Sequence, residues 1–119
     1  MINEKTCREL AHSFPEVTEA AHFEKPSFRV AKKIFATLNL KENRICVKLS
    51  EVDQDVFFSY DRDIIYPVPN KWGKMGWTLV DLAKIREDML LDILKMAYCE
   101  VAPKRLSDQI NKPENLDDL

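Results

Sequence analysis

The sequence predicts an α+β domain in which helices pack on one face of an antiparallel sheet. Three observations support this class. Apolar residues change from helical spacing to alternation near residue 18, and they return to helical spacing after residue 50 and again after residue 86. The length of 119 residues fits one domain that can bury a core without disulfides or metals. The 45% hydrophobic and 32% charged residues are typical of a soluble globular protein.

The first element is an amphipathic helix over about residues 3–13. Its apolar side chains recur at intervals of three and four, at Cys7, Leu10, Ala11 and Phe14. Asn3 is suited to cap the start of this helix, and Pro15 stops it. From this helix onward, the predicted order over residues 1–106 is α-β-β-β-β-α-β-β-α. An acidic, flexible C-terminal tail is expected over residues 107–119.

Residues 18–49 alternate between apolar and polar side chains, which predicts a four-stranded meander with one buried face. Its turns are expected at residues 24–26, 32–33 and 41–43. The solvent-exposed face of this predicted sheet carries Arg29, Arg44 and Lys48. The predicted core combines apolar residues of strands and helices: Leu10, Phe14, Phe28, Val30, Ile34, Leu38, Val47, Leu90, Leu94 and Tyr98.

The second half of the chain predicts a helix, two strands and a long helix. Ser50 is placed to cap the second helix, in which Val52, Val56 and Tyr60 keep the helical spacing. Strands follow over residues 64–69 and 77–82. The first of these contains two prolines, so it belongs at an edge of the sheet. The last helix is predicted over about residues 86–102, and Pro103 closes it.

The turn between these two strands contains both tryptophans and both glycines of the chain, in the run Trp72-Gly73-Lys74-Met75-Gly76-Trp77. The glycines mark backbone that adopts a positive φ or passes close to another segment. We expect Trp72 to be exposed at the tip of this turn and Trp77 to point inward. With its rings and lysines, this turn is the predicted site.

Charge is distributed unevenly although the net charge is only −2. Residues 25–48 sum to +6, whereas residues 49–63 sum to −4. No apolar run is long enough to span a membrane, and the N-terminus lacks a signal core. Three widely spaced cysteines favour reduced thiols in a cytoplasmic protein.

No motif indicates an enzyme, a metal site or a cofactor. His12 and His22 lack the partner spacings of a metal site. Alternation places Cys46 opposite the core, so it is the one thiol expected to be reactive. The protein is therefore predicted to be a non-enzymatic binding protein, and a monomer rather than an oligomer.

Several segments in order resemble the MmcQ/YjbR family over roughly residues 8–106. They are Pro15-Glu16-Val17, Lys25-Pro26-Ser27-Phe28-Arg29-Val30, Lys33-Ile34-Phe35-Ala36-Thr37-Leu38, Arg44-Ile45-Cys46-Val47-Lys48-Leu49, Asn70-Lys71 with Gly76-Trp77, Val80-Asp81-Leu82 and Ala97-Tyr98-Cys99-Glu100-Val101-Ala102. The resemblance implies a frataxin-like (CyaY-like) α+β fold. It also implies DNA binding through two β-hairpin wings. The chain departs from the family pattern before Pro26, where a glycine is usual, and at residues 72–75, which lengthen the second wing.

Two hypotheses for function follow. The first is weak DNA binding, independent of base sequence, through basic hairpin wings. Its candidate residues are Arg29, Lys32, Lys33, Lys41, Arg44, Lys48, Lys71, Trp72 and Lys74. The second is a protein-interaction or small-ligand module that uses an apolar patch of Trp72, Tyr66 and Met75. A continuous basic face would favour the first hypothesis, and an apolar concavity beside Trp72 would favour the second.

Overall fold

Six strands form one antiparallel sheet in the computed structural model, which describes residues 1–111. The strands are β1 Thr18–His22, β2 Lys25–Val30, β3 Lys33–Asn39, β4 Arg44–Lys48, β5 Ile65–Pro67 and β6 Trp77–Asp81. The helices are α1 Glu4–His12, α2 Glu51–Tyr60, α3 Lys71–Lys74, α4 Glu87–Val101 and α5 Lys104–Asn111. Neighbouring strands follow the order β1-β2-β3-β4-β6-β5. The α+β class and the antiparallel sheet are confirmed.

Two helices are additional to the predicted order. A single turn such as α3 has no periodicity to detect. The other, α5, begins directly after Pro103, whose carbonyl accepts hydrogen bonds from the amides of Leu106 and Ser107 at 2.9 and 3.0 Å. Pro103 therefore ends α4 as expected and also precedes a new helix, a position that suits proline. The predicted tail begins inside α5, and its residues 112–119 lie outside the described residues.

The core lies between one face of the sheet and the helices. α4 crosses β3 and β4, and α1 packs against α4, so both terminal helices of the predicted order share one face. Tyr98 of α4 is fully buried at the centre of this layer. Its ring stacks on Phe14 with centroids 5.1 Å apart and meets Phe35 edge-on at 5.6 Å. Its hydroxyl donates to the carbonyl of Pro15 at 2.7 Å, so its burial leaves no unpaired polar group.

A β-bulge between β2 and β3 changes which side chains enter the core. Phe28 pairs with Ala36, but Arg29 pairs with Ile34, which leaves Phe35 as the extra residue. Phe35 is fully buried, whereas Ile34 is only half-buried and lies on the opposite face of the sheet. The prediction that Ile34 belongs to the core was therefore wrong, because one extra residue inverts the alternation. Leu10 is also only partly buried, although it packs against the core.

The predicted caps of α1 and α2 are confirmed. The Asn3 side chain accepts from the amide of Thr6 at 2.8 Å, and the Ser50 hydroxyl accepts from the amide of Asp53 at 3.1 Å. The buried side of α2, however, does not contain its valines. This helix turns Gln54 inward, where Nε2 donates to the Gly73 carbonyl at 2.8 Å, the Trp77 carbonyl at 3.2 Å and the Thr78 hydroxyl at 3.1 Å.

Leu94→Ala should lower the free energy of unfolding by roughly 2–5 kcal/mol, because it removes a buried side chain and leaves a cavity. Leu94 is fully buried, whereas Leu91 on the same helix is exposed. Leu91→Ala is therefore the matched control and should change stability little. Urea denaturation followed by circular dichroism measures both variants, and equal losses in the two would contradict the assigned face of α4.

Candidate binding groove

The sheet face opposite α1 and α4 carries a groove of about 550 Å³. Its lining residues are His22, Phe23, Lys25, Ile34, Thr37, Cys46, Val68, Trp72 and Trp77. We call this concavity the aromatic groove. Thr37 and Cys46 are cross-strand partners on the two central strands and belong to the face opposite the buried pair Leu38 and Ile45. The groove therefore lies on the face of the sheet that α1 and α4 do not cover.

One wall of the aromatic groove is the β1–β2 hairpin, which turns at Phe23 and Glu24. Their φ values of 50° and 68° fit the two-residue turn that joins antiparallel strands, one residue before the predicted position. The Phe23 side chain is 86% exposed, and its ring meets that of His22 edge-on at 4.6 Å. A bulky residue with positive φ is strained, and such strain is concentrated at functional sites. The hairpin thus presents an exposed ring to the groove at an energetic cost.

Helix α1 supports this hairpin from the other side. Arg8 Nε donates to both carboxylate oxygens of Glu19 on β1, at 3.0 and 3.2 Å, and His12 Nε2 lies 3.1 Å from the same group. Burial acts to raise the pKa of Glu19, but the hydrogen bonds from His12 and Arg8 outweigh it and the pKa is lowered. Because α1 binds the edge strand on the core side, the groove side of the hairpin stays uncovered.

The other wall is the segment of residues 68–77, which we call the tryptophan wing. Asn70 Oδ1 accepts from the amide of Trp72 at 2.9 Å and caps α3. Trp72 is 48% exposed, as predicted, and Lys71 Nζ lies 5.7 Å from the centre of its ring. Trp77 is half-buried and lines the groove, so the prediction that it points inward was wrong. Thr78 occupies the buried position instead.

Two glycines allow close backbone approaches at the tryptophan wing, Gly73 within the wing itself and Gly76 to the end of β4. Gly76 has a φ of 104°, and its carbonyl accepts from the Leu49 amide at 3.0 Å. A Cβ at Gly76 would lie 1.9 Å from the Leu49 carbonyl oxygen, and a Cβ at Gly73 would lie 2.0 Å from that of Val68. Gly76 is therefore required both by its positive φ and by the close backbone contact, whereas Gly73 is required by the close contact alone.

Cys46 lies in the floor of the groove but is not a reactive thiol. Burial raises its pKa to about 11, and the nearby Lys25 ammonium offsets only part of this effect. The expectation of reactivity was wrong because alternation identifies the face of a residue but not how deeply its neighbours bury it. Cys46 contributes an apolar, protonated side chain to the floor.

The predicted basic residues do not form one surface. Lys32 and Lys33 lie at the β2–β3 turn and Lys41 at the β3–β4 turn, so they lie at opposite ends of β3. On the wing, Lys71 Nζ lies over the Trp72 ring, and Lys71 and Lys74 both line a neighbouring cleft of about 560 Å³. These two lysines are the predicted basic residues that lie on the tryptophan wing.

The three basic residues predicted on the solvent-exposed face of the strands each form a hydrogen bond or an ion pair within the protein. Arg29 Nε donates to the Ser27 hydroxyl at 3.1 Å. Arg44 donates to the Tyr66 hydroxyl at 3.1 Å and pairs with Glu42. Lys48 Nζ donates to the Leu49 carbonyl at 3.1 Å and lies 3.9 Å from the Glu100 carboxylate. Tyr66, whose hydroxyl accepts this bond from Arg44, is half-buried and does not form an exposed patch with Trp72 and Met75.

The sequence interpretation missed the hairpin wall of the groove, formed by His22, Phe23 and Lys25. The available signal was an aromatic residue beside the expected turn, where polar residues are usual. Among residues 1–111, the structure contains no group of three or more His, Cys, Asp or Glu side chains arranged to hold a metal ion. None of the described helices is both long and apolar enough to cross a membrane.

Gly76→Ala should destabilise the protein by more than about 1 kcal/mol, because alanine disfavours the positive φ and its Cβ meets the Leu49 carbonyl. Lys74→Ala, a change of an exposed residue in the same wing, should leave stability nearly unchanged. Thermal unfolding of both variants tests this. A Gly76→Ala variant as stable as the parent would show that the wing is not held by this close approach.

Cys46 should be alkylated slowly by iodoacetamide in the folded protein. At pH about 8, a pKa of about 11 leaves about one thiol in a thousand ionised. The rate should rise as the pH approaches 11, and denatured protein, with an ordinary thiol, provides the control. Peptide mass spectrometry identifies the modified cysteine, and rapid native alkylation near neutral pH would contradict the assignment.

Comparison with known proteins identifies the family. A protein from Deinococcus radiodurans, DR2400, described as a DUF419 domain, has a crystal structure that matches this fold with a TM-score of 0.68 and 18% sequence identity. The match covers 90% of this chain and 86% of that chain. No curated protein matches the sequence. The YjbR family model matches residues 12–100, which include both strands of the hairpin wall and the whole tryptophan wing. The chain therefore belongs to the YjbR family.

Proposed function

We propose that this protein is a non-enzymatic binding protein that takes the bases of single-stranded nucleic acid into the aromatic groove. One observation carries this proposal. Two segments far apart in the chain, the β1–β2 hairpin and the tryptophan wing, bring Phe23, Trp72 and Trp77 to one concavity that also contains Lys25. Flat rings with adjacent ammonium groups match a ligand that alternates flat bases with phosphates.

Single strands fit this geometry better than duplex DNA. Bases of a single strand are free to leave their neighbours and stack on an exposed ring such as Trp72, whereas duplex bases are already stacked. Duplex binding through phosphate contacts would need cations spread along one face. The hairpin-tip lysines lie instead at opposite ends of β3, and Arg44 and Lys48 are paired with carboxylates.

Binding should be weak, salt-sensitive and largely independent of base identity. Lys25 lines the groove, Lys71 lies over the Trp72 ring, and Lys74 lines the neighbouring cleft, so the ligand would have few phosphates neutralised. For single strands, the logarithm of the binding constant changes by about 0.7 per phosphate contact for each tenfold change in salt. Stacking is tolerant of sequence because every base has a flat aromatic face.

A small aromatic molecule is the second candidate ligand. The groove volume of about 550 Å³ lies within the roughly 300–1,000 Å³ range of small-molecule pockets. Ile34, Val68 and Cys46 give the groove apolar surface that does not need a nucleic-acid backbone. A mononucleotide and an oligonucleotide distinguish the two candidates, because only the oligonucleotide gains from contacts beyond a single base.

We further propose that the protein is cytoplasmic and monomeric and that it has no enzymatic activity. Cys7 and Cys46 carry free thiols, as is usual for a protein in a reducing compartment. The antiparallel sheet backed by α1 and α4 supports the frataxin-like arrangement that the family resemblance implies.

Trp72→Ala and Phe23→Gly should each weaken binding of a labelled single-stranded oligonucleotide at low salt, by about 1–3 kcal/mol for each stacking ring removed. Glycine is used at position 23 because it accepts the positive φ of Phe23. Tyr60→Ala removes an exposed ring outside the groove and is the matched control. Fluorescence anisotropy measures the affinity, and the tryptophan emission of the parent reports occupancy of the groove.

Three results would count against this function. Absence of binding to single-stranded DNA and RNA at low salt would remove the nucleic-acid ligand. Equal affinity for a mononucleotide and an oligonucleotide would identify a small-molecule site instead. A Tyr60→Ala variant that loses as much affinity as Trp72→Ala would place the contact outside the groove.

A further inference from the structure

Helix α2 exposes a line of apolar side chains on its outer side. Val52, Val56 and Tyr60 follow one another at intervals of four residues and are 72%, 59% and 66% exposed. Residues at this spacing lie on one side of a helix, about 12 Å from first to last. We call them the valine stripe. They lie apart from the aromatic groove, none of whose lining residues belongs to α2.

The stripe is unusual because α2 carries apolar side chains on both sides: Phe57 packs against the core, but the stripe residues on the outer side do not. The helix turns Gln54 toward the wing and leaves its valines in water, although helices normally expose polar residues and bury apolar ones. Valine also has a lower helix propensity than the polar residues usual at exposed sites. Positions that break such local rules are most often functional sites.

Charge around the stripe indicates the kind of partner. Asp55 is exposed three residues after Val52, about one turn along α2, so it borders the stripe, whereas Glu51 is exposed farther around the helix. Residues 49–63 carry a net charge of −4. A partner that covers the stripe must therefore bring apolar side chains flanked by positive charge, because opposed potentials favour association and like charges oppose it. A second copy docked through the same stripe would place carboxylates against carboxylates.

We propose that the valine stripe is a docking surface for an amphipathic, basic helix of a partner protein. Apolar side chains at intervals of three and four on such a helix would pack between Val52, Val56 and Tyr60. Lysines or arginines beside them would pair with Asp55 and meet the net negative charge of residues 49–63. The stripe then becomes the buried centre of the interface, and the carboxylates form its rim.

Two short synthetic helical peptides test the proposal on the full-length protein. They share leucines at the docking spacing, but lysines flank the leucines in one and glutamates in the other. The lysine peptide should bind and the glutamate peptide should not. Val56→Ser combined with Tyr60→Ser should weaken lysine-peptide binding by about tenfold or more. Leu40→Ser, a change of an exposed apolar residue in the β3–β4 turn, should not weaken it.

Charge is tested separately by Asp55→Asn, which should weaken binding of the lysine peptide a few-fold and reduce its salt dependence. Fluorescence anisotropy measures affinity, and circular dichroism checks that each variant is folded. Failure of both peptides to bind, equal binding of both, or full binding by the double serine variant would each overturn the proposal. A dimer in sedimentation that disappears in the double variant would overturn it too, because the stripe would then bind a second copy.

Discussion

The β-bulge between β2 and β3 is the constraint on which both faces of the sheet depend. Because Phe35 is an extra residue opposite Phe28 and Arg29, it enters the core beside Tyr98. Ile34, displaced to the other face, becomes part of the aromatic groove. A regular ladder would place Ile34 in the core and Phe35 on the open face. One inserted residue thus supplies an aromatic contact to the core and an apolar floor residue to the groove.

The spacing of apolar residues predicted most of the fold because it shows which side chains of a segment face the core and which face solvent. It identified α1, the four-stranded meander and α4, and it placed caps at Asn3 and Ser50. It failed where a contact outside the segment decides orientation. Gln54 faces inward because it has three acceptors on the tryptophan wing and β6, and no spacing within α2 records them.

Only one wall of the groove, the tryptophan wing, was predicted from the sequence. Clustering of tryptophan and glycine marked the wing, since Gly76 is required by a positive φ and a close approach to Leu49. The hairpin wall was missed because its importance comes from tertiary position: Phe23 lines the groove together with residues of the tryptophan wing, which lie far away in the chain. The depth of Cys46 also depends on neighbours from other strands, so its raised pKa has no local sequence signal.

The strand order has a consequence for how the molecule assembles. Strands β1 to β4 pair with their sequence neighbours, so this part of the sheet closes through short loops. β6 joins β4 only after the chain has passed through α2, β5 and α3. Contacts between distant segments form more slowly than local ones. We therefore expect the hairpin wall to form first during folding, and the aromatic groove to be complete only when β6 pairs with β4.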